Sequence, residues 1–335
     1  MSKPRHGILA AGNFIVDHVK IIDSYPQQDM LASILSQSQS NGGGPYNVLK
    51  DLAAMQAGFP LEACGLVGED PNGQWIHDDC VAHGIDVGQL HRTTERATSY
   101  TDAMTVQSTG RRTFFHQRGA NALFDGSHCD FNATKAKLFH LGYLMLLDRM
   151  DSFEGNRTHA ASLLERAREA GLQTIVDIVS AEHAQFREIA LSAIPYTDHL
   201  VINEVEAGRI VDQTLSESDV AGICSVAEAI LALGVGRSVV IHFTKGCVAA
   251  TSGQPTVRQG SLDLPSGFSQ GATGAGDAFA AGYLYGLHEN WPMEKRLELA
   301  VCSAAASLTH PTPSAGLRPV AECLALATKF PKRAL

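Results

Sequence analysis

The sequence predicts an α/β fold whose central sheet is mostly parallel and covered by helices on both faces. Two observations predict it: short β-rich runs alternate with helical stretches, and these runs are apolar at nearly every position. A strand covered on both faces has this continuous apolar character, and regular alternation with helices is typical of parallel sheets. No internal repeat or low-complexity linker divides the chain, so we predict a single domain over residues 1–335.

The elements of this fold are read in chain order. The predicted strands are GILAAG (7–12), KLFHLGYL (137–144), LQTIVDI (172–178), HLVIN (199–203) and SVVIHFT (238–244). The predicted helices cover residues 45–57, 70–83, 156–170, 219–233, 275–288 and 293–308. Two segments depart from the alternation, 14–40 and 98–117, and the second resembles a hairpin that turns at Ser108-Thr109-Gly110. We predict that they form a small β lid inserted into the main domain.

Composition excludes several classes of protein. The net charge of −9 argues against a nucleic-acid partner, which would need a basic surface. Seven scattered cysteines without a C-x-x-C pair indicate reduced thiols rather than a disulfide framework. The apolar run near the N-terminus is interrupted by Asn13, Asp17 and His18, and the run at 138–147 is far too short to span a membrane. We therefore expect a cytoplasmic protein that binds neither nucleic acid nor membrane.

A phosphate site is predicted where the helix over 275–288 begins, in SQGATGAGDAFAAGYLYGL (269–287). The small side chains of Gly274, Ala275 and Gly276 leave backbone amides open to an anion at a helix N-terminus. Asp277 would repel a phosphate, so its presence indicates a second task, namely accepting the proton of an attacking hydroxyl. Considered alone, an Asp at a helix start is more often a helix cap, here beside tightly packed small residues. The sequence contains no Walker A motif, and no dinucleotide fingerprint follows the first strand.

Further motifs occur in a fixed order from about residue 8 to about residue 310. Residues 273–279 match the end of D-T-x-G-A-G-D-x-F, and GGGPYN (42–47) matches G-G-x-x-x-N. The others are G-x-x-x-x-D (12–17), GLVGEDPNG (65–73), HGIDV (83–87), RGAN (118–121), NEVE (203–206) and TKG (244–246). In these motifs the chain resembles the ribokinase-like (PfkB) carbohydrate kinase family.

The resemblance implies a ribokinase-like three-layer α/β/α sandwich with a β lid. It also implies an ATP-dependent kinase that transfers the γ-phosphoryl group to a hydroxyl of a small sugar or polyol. Asp277 would be the general base, beside an anion hole formed by Gly274, Ala275 and Gly276. The residues implied to bind the acceptor are Asp17, Gly42, Gly43, Asn47 and Asn121. Those implied to bind the nucleotide are Thr244 and Gly246, and those implied to organise Mg²⁺ and its waters are Asn203 and Glu206. The lid would close over the acceptor, and lids of this type often pair two copies into a homodimer.

Several positions depart from the family pattern. Gly271 and Ala272 replace the usual D-T, and many members use that Asp to hold a monovalent cation. Gly271 has no side-chain oxygen, which argues against potassium activation. Arg111 and Arg112 lie in the lid, and two readings stay open: one of them reaches a phosphate or acid group of the substrate, or the pair is solvated. Two alternative functions stay open: a nucleoside or vitamin-alcohol kinase of the same fold, and an inactive sugar-binding regulatory protein.

Overall fold

The computed structural model describes residues 4–335, which form fifteen strands and ten α-helices. The strands are β1 (Ile8–Gly12), β2 (Ile15–Ile22), β3 (Ile34–Gly42), β4 (Leu61–Gly68), β5 (Asp86–Thr93), β6 (Tyr100–Val106), β7 (Arg112–Gln117), β8 (Leu138–Leu144), β9 (Phe153–Glu154), β10 (Arg157–Thr158), β11 (Gln173–Ile178), β12 (His199–Asn203), β13 (Ser238–Phe243), β14 (Gly246–Thr251) and β15 (Gln254–Gly260). Nine of them form one sheet in the order β15-β14-β13-β12-β11-β8-β1-β4-β5. Neighbours from β13 to β5 are parallel, and β14 and β15 add an antiparallel edge.

Helices cover both faces of this sheet. They are α1 (Gly44–Ala54), α2 (Pro71–Ala82), α3 (Asp148–Asp151), α4 (His159–Glu169), α5 (Phe186–Ala193), α6 (Glu204–Val211), α7 (Val220–Ala232), α8 (Ala275–His288), α9 (Met293–Ser307) and α10 (Val320–Lys329). Leu9 and Ala11 of β1 pack in one core cluster with α4 to α7, whereas Ile8 and Ala10 pack in a second cluster with α1, α2 and α8 to α10. Successive side chains of a strand point to opposite faces, so one strand contributes to both cores. The predicted three-layer α/β/α sandwich is confirmed.

A second sheet of four strands, in the order β3-β2-β6-β7, forms the lid. Its strands come from the two segments that depart from the alternation, although β3 continues to Gly42, two residues beyond the predicted end. The β6–β7 hairpin turns where predicted, since the Gly110 amide donates to the Val106 carbonyl at 2.8 Å. Because β3 leads directly into α1, the lid is connected to the helix that carries Asn47.

All five predicted strands and all six predicted helices are present, with ends within three residues of the prediction. Strands β4, β5, β9, β10, β14 and β15 and the four-residue helix α3 were not predicted from the sequence. Strands β5 and β15 lie at the edges and are half-exposed, so they lack the continuous apolar run used to find the others. Helices α5 and α6, which have eight residues each and are too short for a clear helical period, were not predicted either. The C-terminal helix α10 was missed as well.

Two expectations from composition bear on the described part of the chain. The seven cysteines are all free and buried. No helix within residues 4–335 has both the length and the apolar content to cross a membrane.

Candidate active site

The site lies where the parallel strands end, at the carboxyl edge of the central sheet. Tyr143 of β8, Asp177 of β11, Asn203 of β12 and His242 of β13 line one pocket of about 240 Å³ together with the start of α8. Ligand sites in open α/β sheets form at this edge, because loops and helix N-termini converge there. The pocket therefore brings the predicted phosphate-binding helix and the predicted Mg²⁺ residues together.

The N-terminus of α8 presents unpaired amides to this pocket. Gly274 precedes the helix with φ of 78°, a left-handed conformation that suits glycine. Within residues 4–335 the amides of Gly274, Gly276 and Asp277 have no acceptor, whereas Ala275 donates weakly to the Ala272 carbonyl at 3.3 Å. Three converging amides at a helix N-terminus, where the macrodipole is positive, are suited to bind a phosphate.

Asp277 is buried beside these amides and is held by two side chains. The Tyr143 hydroxyl donates to its Oδ1 at 2.5 Å, and the Asn47 amide nitrogen donates to its Oδ2 at 2.7 Å. Burial raises the pKa of Asp277 to about 6, although both hydrogen bonds stabilise the carboxylate and oppose that rise. A carboxylate with this pKa is ionised above pH 6 and is basic enough to take a proton from a positioned hydroxyl.

Asn47 is itself oriented by a polar chain that reaches the C-terminal loop. The Asn41 amide nitrogen donates to Asn47 Oδ1 at 2.7 Å and to Ser314 Oγ at 2.9 Å. With its oxygen engaged by Asn41, the Asn47 amide turns its NH₂ group toward Asp277. The C-terminal loop thus contributes Ser314 to the support of the predicted base.

Four of the predicted acceptor residues lie together next to Asp277. Burial raises the pKa of Asp17 to about 7, the Thr101 hydroxyl opposes this rise, and the nearby charge of Asp277 adds to it. A Cβ atom at Gly42 would collide with the Asp17 carboxylate. Gly43, with φ of 90°, would collide with the Asn13 carbonyl if it carried one. Only glycine permits this close approach of β3 to Asp17 and of the residue before α1 to Asn13.

Asn121, the fifth predicted acceptor residue, has no polar atom free for a ligand. Its side-chain nitrogen donates to the Phe14 carbonyl at 3.2 Å, and its oxygen accepts from the Phe14 amide at 3.4 Å. The side chain is fully buried. In the structure Asn121 fixes the backbone at the start of lid strand β2, and its role in binding the acceptor stays a prediction.

Asn203 and Glu206 form a complete capping box at the start of α6. The Glu206 amide donates to Asn203 Oδ1, and the Asn203 amide donates to Glu206 Oε2, both at 2.8 Å. Burial raises the pKa of Glu206 to about 7, while the Asn203 backbone and the Ser180 hydroxyl oppose that rise. Asn203 and Glu206 thus cap α6, and both side chains also line the pocket of Asp277.

A second cavity, of about 390 Å³, adjoins this pocket on the other side of the α8 N-terminus. Thr244 and Gly246, the predicted nucleotide residues, line it. Its walls are largely apolar, with Phe279, Val301 and Leu308 among them. An apolar cavity of this size beside a set of free amides is suited to a purine base whose phosphates extend toward Asp277.

Three of the pocket residues were not predicted from the sequence: Tyr143, Asp177 and His242. His242 packs against Phe279, with ring centroids 4.9 Å apart and ring planes tilted by 36°, and lines both cavities. Burial lowers the pKa of His242 to about 4, so its ring is neutral at neutral pH. Each of the three lies at the carboxyl end of a predicted parallel strand. A polar residue at the carboxyl end of a predicted parallel strand is therefore a signal for the site that can be found in the sequence.

A model of the pfkB family carbohydrate kinases matches residues 8–319 of this chain. The chain belongs to this family. Among curated relatives, the ATP-dependent ribose-1-phosphate kinase of Halopiger xanaduensis is 28% identical over 322 residues, covering 95% of this chain and 96% of that protein. The fructokinase of Escherichia coli is 27% identical over 275 residues, covering 77% of this chain and 82% of that protein. The family thus confirms the prediction of a carbohydrate kinase.

Solved structures confirm the ribokinase-like fold. The ribokinase of Arabidopsis thaliana, determined in complex with ribose and ATP, superposes with a TM-score of 0.79 at 20% identity. The match covers 97% of this pfkB family chain and 99% of that one. At this identity the likeness shows the fold alone. Which acceptor this family member binds depends on the side chains of its own pocket.

Proposed function

We propose that the protein transfers the γ-phosphoryl group of ATP to a hydroxyl of a small sugar or polyol, with Asp277 as the general base. One observation carries the proposal: the Asp277 carboxylate adjoins the free amides of α8, between the nucleotide-sized cavity and the Asp17 side. A donor phosphate on those amides and an acceptor hydroxyl on Asp277 would be next to each other. The ATP-dependent relative and the ATP complex of the Arabidopsis ribokinase support the choice of donor.

The reaction follows from this arrangement. Asp277 takes the proton of the acceptor hydroxyl while the hydroxyl oxygen bonds to the γ-phosphorus. The bond from that phosphorus to the β-phosphate bridging oxygen breaks, and ADP leaves with the bonding electron pair. The amides of Gly274, Gly276 and Asp277 donate to oxygens of the transferring group, where negative charge must be stabilised. Asp17, Gly42, Gly43 and Asn47 bind the acceptor hydroxyls.

Mg²⁺ fits the oxygen ligands in this pocket, provided that it keeps most of its water. Asp177, Asn203 and Glu206 line the pocket and offer carboxylate and amide oxygens, which a hard cation prefers. Burial raises the pKa of Asp177 well above its usual range. Within residues 4–335 no three His, Cys, Asp or Glu side chains converge to form a direct metal cage. These residues would bind the waters of a bound Mg²⁺, which neutralises charge on the phosphates.

The other open expectations are proposals of the same kind. We retain a single kinase domain, a cytoplasmic location, and closure of the lid over the acceptor to exclude water. A homodimer through the lid is supported by exposed apolar side chains there, namely Met30, Leu31, Ile34, Leu35, Phe114 and Phe115. Light scattering on the purified protein measures its molar mass and so distinguishes a monomer from a dimer. The buried carboxylate of Asp277 and the free amides favour an active kinase over a regulatory binding protein.

Activity is expected to fall as pH drops through about 6. The base must be ionised, and burial holds the pKa of Asp277 near 6 rather than near the usual value of about 4. The acid limb of kcat/KM for the acceptor, measured from pH 4.5 to 8.5 at constant ionic strength, reports this group. A limb near pH 4 would assign the base to a solvated carboxylate instead.

Arg112 favours an acceptor that carries a phosphate. A Cβ atom at Gly271 would lie 2.9 Å from Arg112 Nη2 and 2.8 Å from the Pro311 Cα, so the lid arginine occupies space that the family aspartate would need. Burial lowers the pKa of Arg112, and within residues 4–335 no carboxylate pairs with it. A half-buried, unpaired guanidinium at the edge of an anion-binding loop is suited to a phosphate group. The relative named ribose-1-phosphate kinase acts on such an acceptor.

Replacing Arg112 by Gln is therefore expected to lower kcat/KM for a sugar phosphate by about 10- to 100-fold, the scale of losing hydrogen bonds to a charged group. Ribose 1-phosphate and ribose form the test pair, and the unphosphorylated sugar should be affected far less. Arg111→Gln is the matched control, because Arg111 is the adjacent arginine and is exposed. An equal loss on both sugars would place Arg112 on the nucleotide side or in support of the lid.

A further inference from the structure

The Tyr143 side chain lies against the predicted base and has no part in the mechanism above. Its amide donates to Asn13 Oδ1 at 2.5 Å, which fixes the residue at the end of β8. Its ring packs on the start of α1, since a Cβ atom at Gly44 would lie 2.9 Å from the Tyr143 Cε1. The hydroxyl is thereby directed at Asp277 Oδ1, at 2.5 Å. The contact is built by three elements that are distant in sequence.

Both oxygens of the Asp277 carboxylate are capped, which means that each accepts a hydrogen bond from a neighbouring side chain. Asn47 donates to Oδ2 and Tyr143 to Oδ1, and Asp277 is only 5% exposed. An acceptor hydroxyl has to donate to this carboxylate before it can lose its proton. The phenol is a hydroxyl donor in the same role, and of the two caps only Tyr143 resembles the acceptor chemically.

Charges around the phenol keep its proton in place. Carboxyls of Asp277 on α8, Asp177 on β11 and Asp17 on β2 face it, and burial together with these groups raises the pKa of Tyr143 well above its usual range. The phenol is therefore protonated at neutral pH and serves as a hydrogen-bond donor. It does not exchange a proton with the base.

We propose that Tyr143 is a displaceable cap on the general base: its hydroxyl occupies the place of the acceptor hydroxyl and keeps water off Asp277 until an acceptor displaces it. The inference rests on the proposed role of Asp277. In the empty site an uncapped base would activate water, and the γ-phosphoryl of ATP would go to that water as inorganic phosphate. When an acceptor binds, Tyr143 exchanges Asp277 for another acceptor of its hydrogen bond and retains its own proton. Tyr143 is in this sense a positioning residue.

The test is ATP hydrolysis without any acceptor, measured at pH 8, where Asp277 is ionised. Tyr143→Phe keeps the ring and removes the cap, so hydrolysis should rise by about tenfold, the scale of one hydrogen bond to a charged group. Tyr46→Phe is the matched control, because Tyr46 is also buried and also bonds an aspartate, Asp79, away from the pocket. It should leave hydrolysis unchanged. If the Phe variant does not fold, Tyr143→Leu removes the same hydroxyl.

A pH profile separates this role from simple structural support. Because the phenol stabilises the ionised carboxylate, its removal should move the acid limb of hydrolysis to a higher pH than in the wild type. The double variant Tyr143→Phe/Asp277→Asn should lose the added hydrolysis. An unchanged hydrolysis rate and an unchanged limb in Tyr143→Phe would overturn the cap and leave the base intact. Full kinase activity in Asp277→Asn alone would instead overturn the proposed function.

Discussion

Replacing Asp277 by Asn is expected to lower kcat by about 10²- to 10⁴-fold, the usual scale for loss of a general base. The amide has nearly the shape of the carboxylate but cannot take the proton of the acceptor. Its neighbours Tyr143 and Asn47 remain in place, so the pocket should keep its form. Steady-state phosphorylation of the best acceptor from a panel of sugars, sugar phosphates, polyols and nucleosides measures the effect.

The affinity for ADP is the control for this variant. The nucleotide-sized cavity lies beyond the α8 N-terminus and does not include Asp277 among its lining residues, so ADP binding by calorimetry should change little. A kcat near that of the wild type would contradict the assignment of the base. Inactivity of the wild type on the whole panel, with ADP still bound, would favour the sugar-binding regulatory protein.

Replacing Gly274 by Ala is expected to lower kcat by about 10²- to 10³-fold, as for loss of a donor from an oxyanion hole, and to destabilise the protein by about 2–4 kcal/mol. Gly274 has φ of 78°, and an added Cβ would lie 2.5 Å from the Pro313 Cβ and 2.7 Å from its Cα. The backbone must move, and the amides of Gly276 and Asp277 would move with it. Kinase kinetics and thermal unfolding measure the two effects.

Gly253→Ala is the matched control for the backbone conformation alone. Gly253 has φ of 73° in the turn between β14 and β15, and no atom lies within 4 Å of its added Cβ. This variant carries only the strain of a left-handed residue, about 1–2 kcal/mol, and should keep full activity. Equal losses in both variants would show that contact with Pro313 does not hold the anion hole in position.

The proposed roles of Tyr143 and Arg112 can be tested independently of each other. Tyr143 acts on the base, so its loss appears without any acceptor present. Arg112 acts on the acceptor phosphate, so its loss appears only when phosphorylated and unphosphorylated sugars are compared. Their side chains come from different parts of the fold, since Tyr143 belongs to the central sheet and Arg112 to the lid.

Much of the fold follows from local patterns. Apolar runs locate the buried parallel strands because a strand covered on both faces has no polar side. The edge strands β5 and β15 lack such a continuous apolar run because part of their surface faces solvent. The start of α8 is likewise a local feature, since small residues at a helix N-terminus leave backbone amides open to an anion, and this pattern is visible without knowledge of the tertiary structure.

The sequence by itself determined the sandwich, the lid and the resemblance to the carbohydrate kinases, and it predicted the anion-binding helix start and Asp277 as the general base. Only the tertiary structure decided what surrounds that base. The Tyr143 and Asn47 bonds to Asp277 span 134 and 230 residues, and the Asn41 bond to Ser314 spans 273. Such contacts depend on which strands become neighbours and on the direction of each side chain. Local periodicity records burial, but it does not record which buried groups meet.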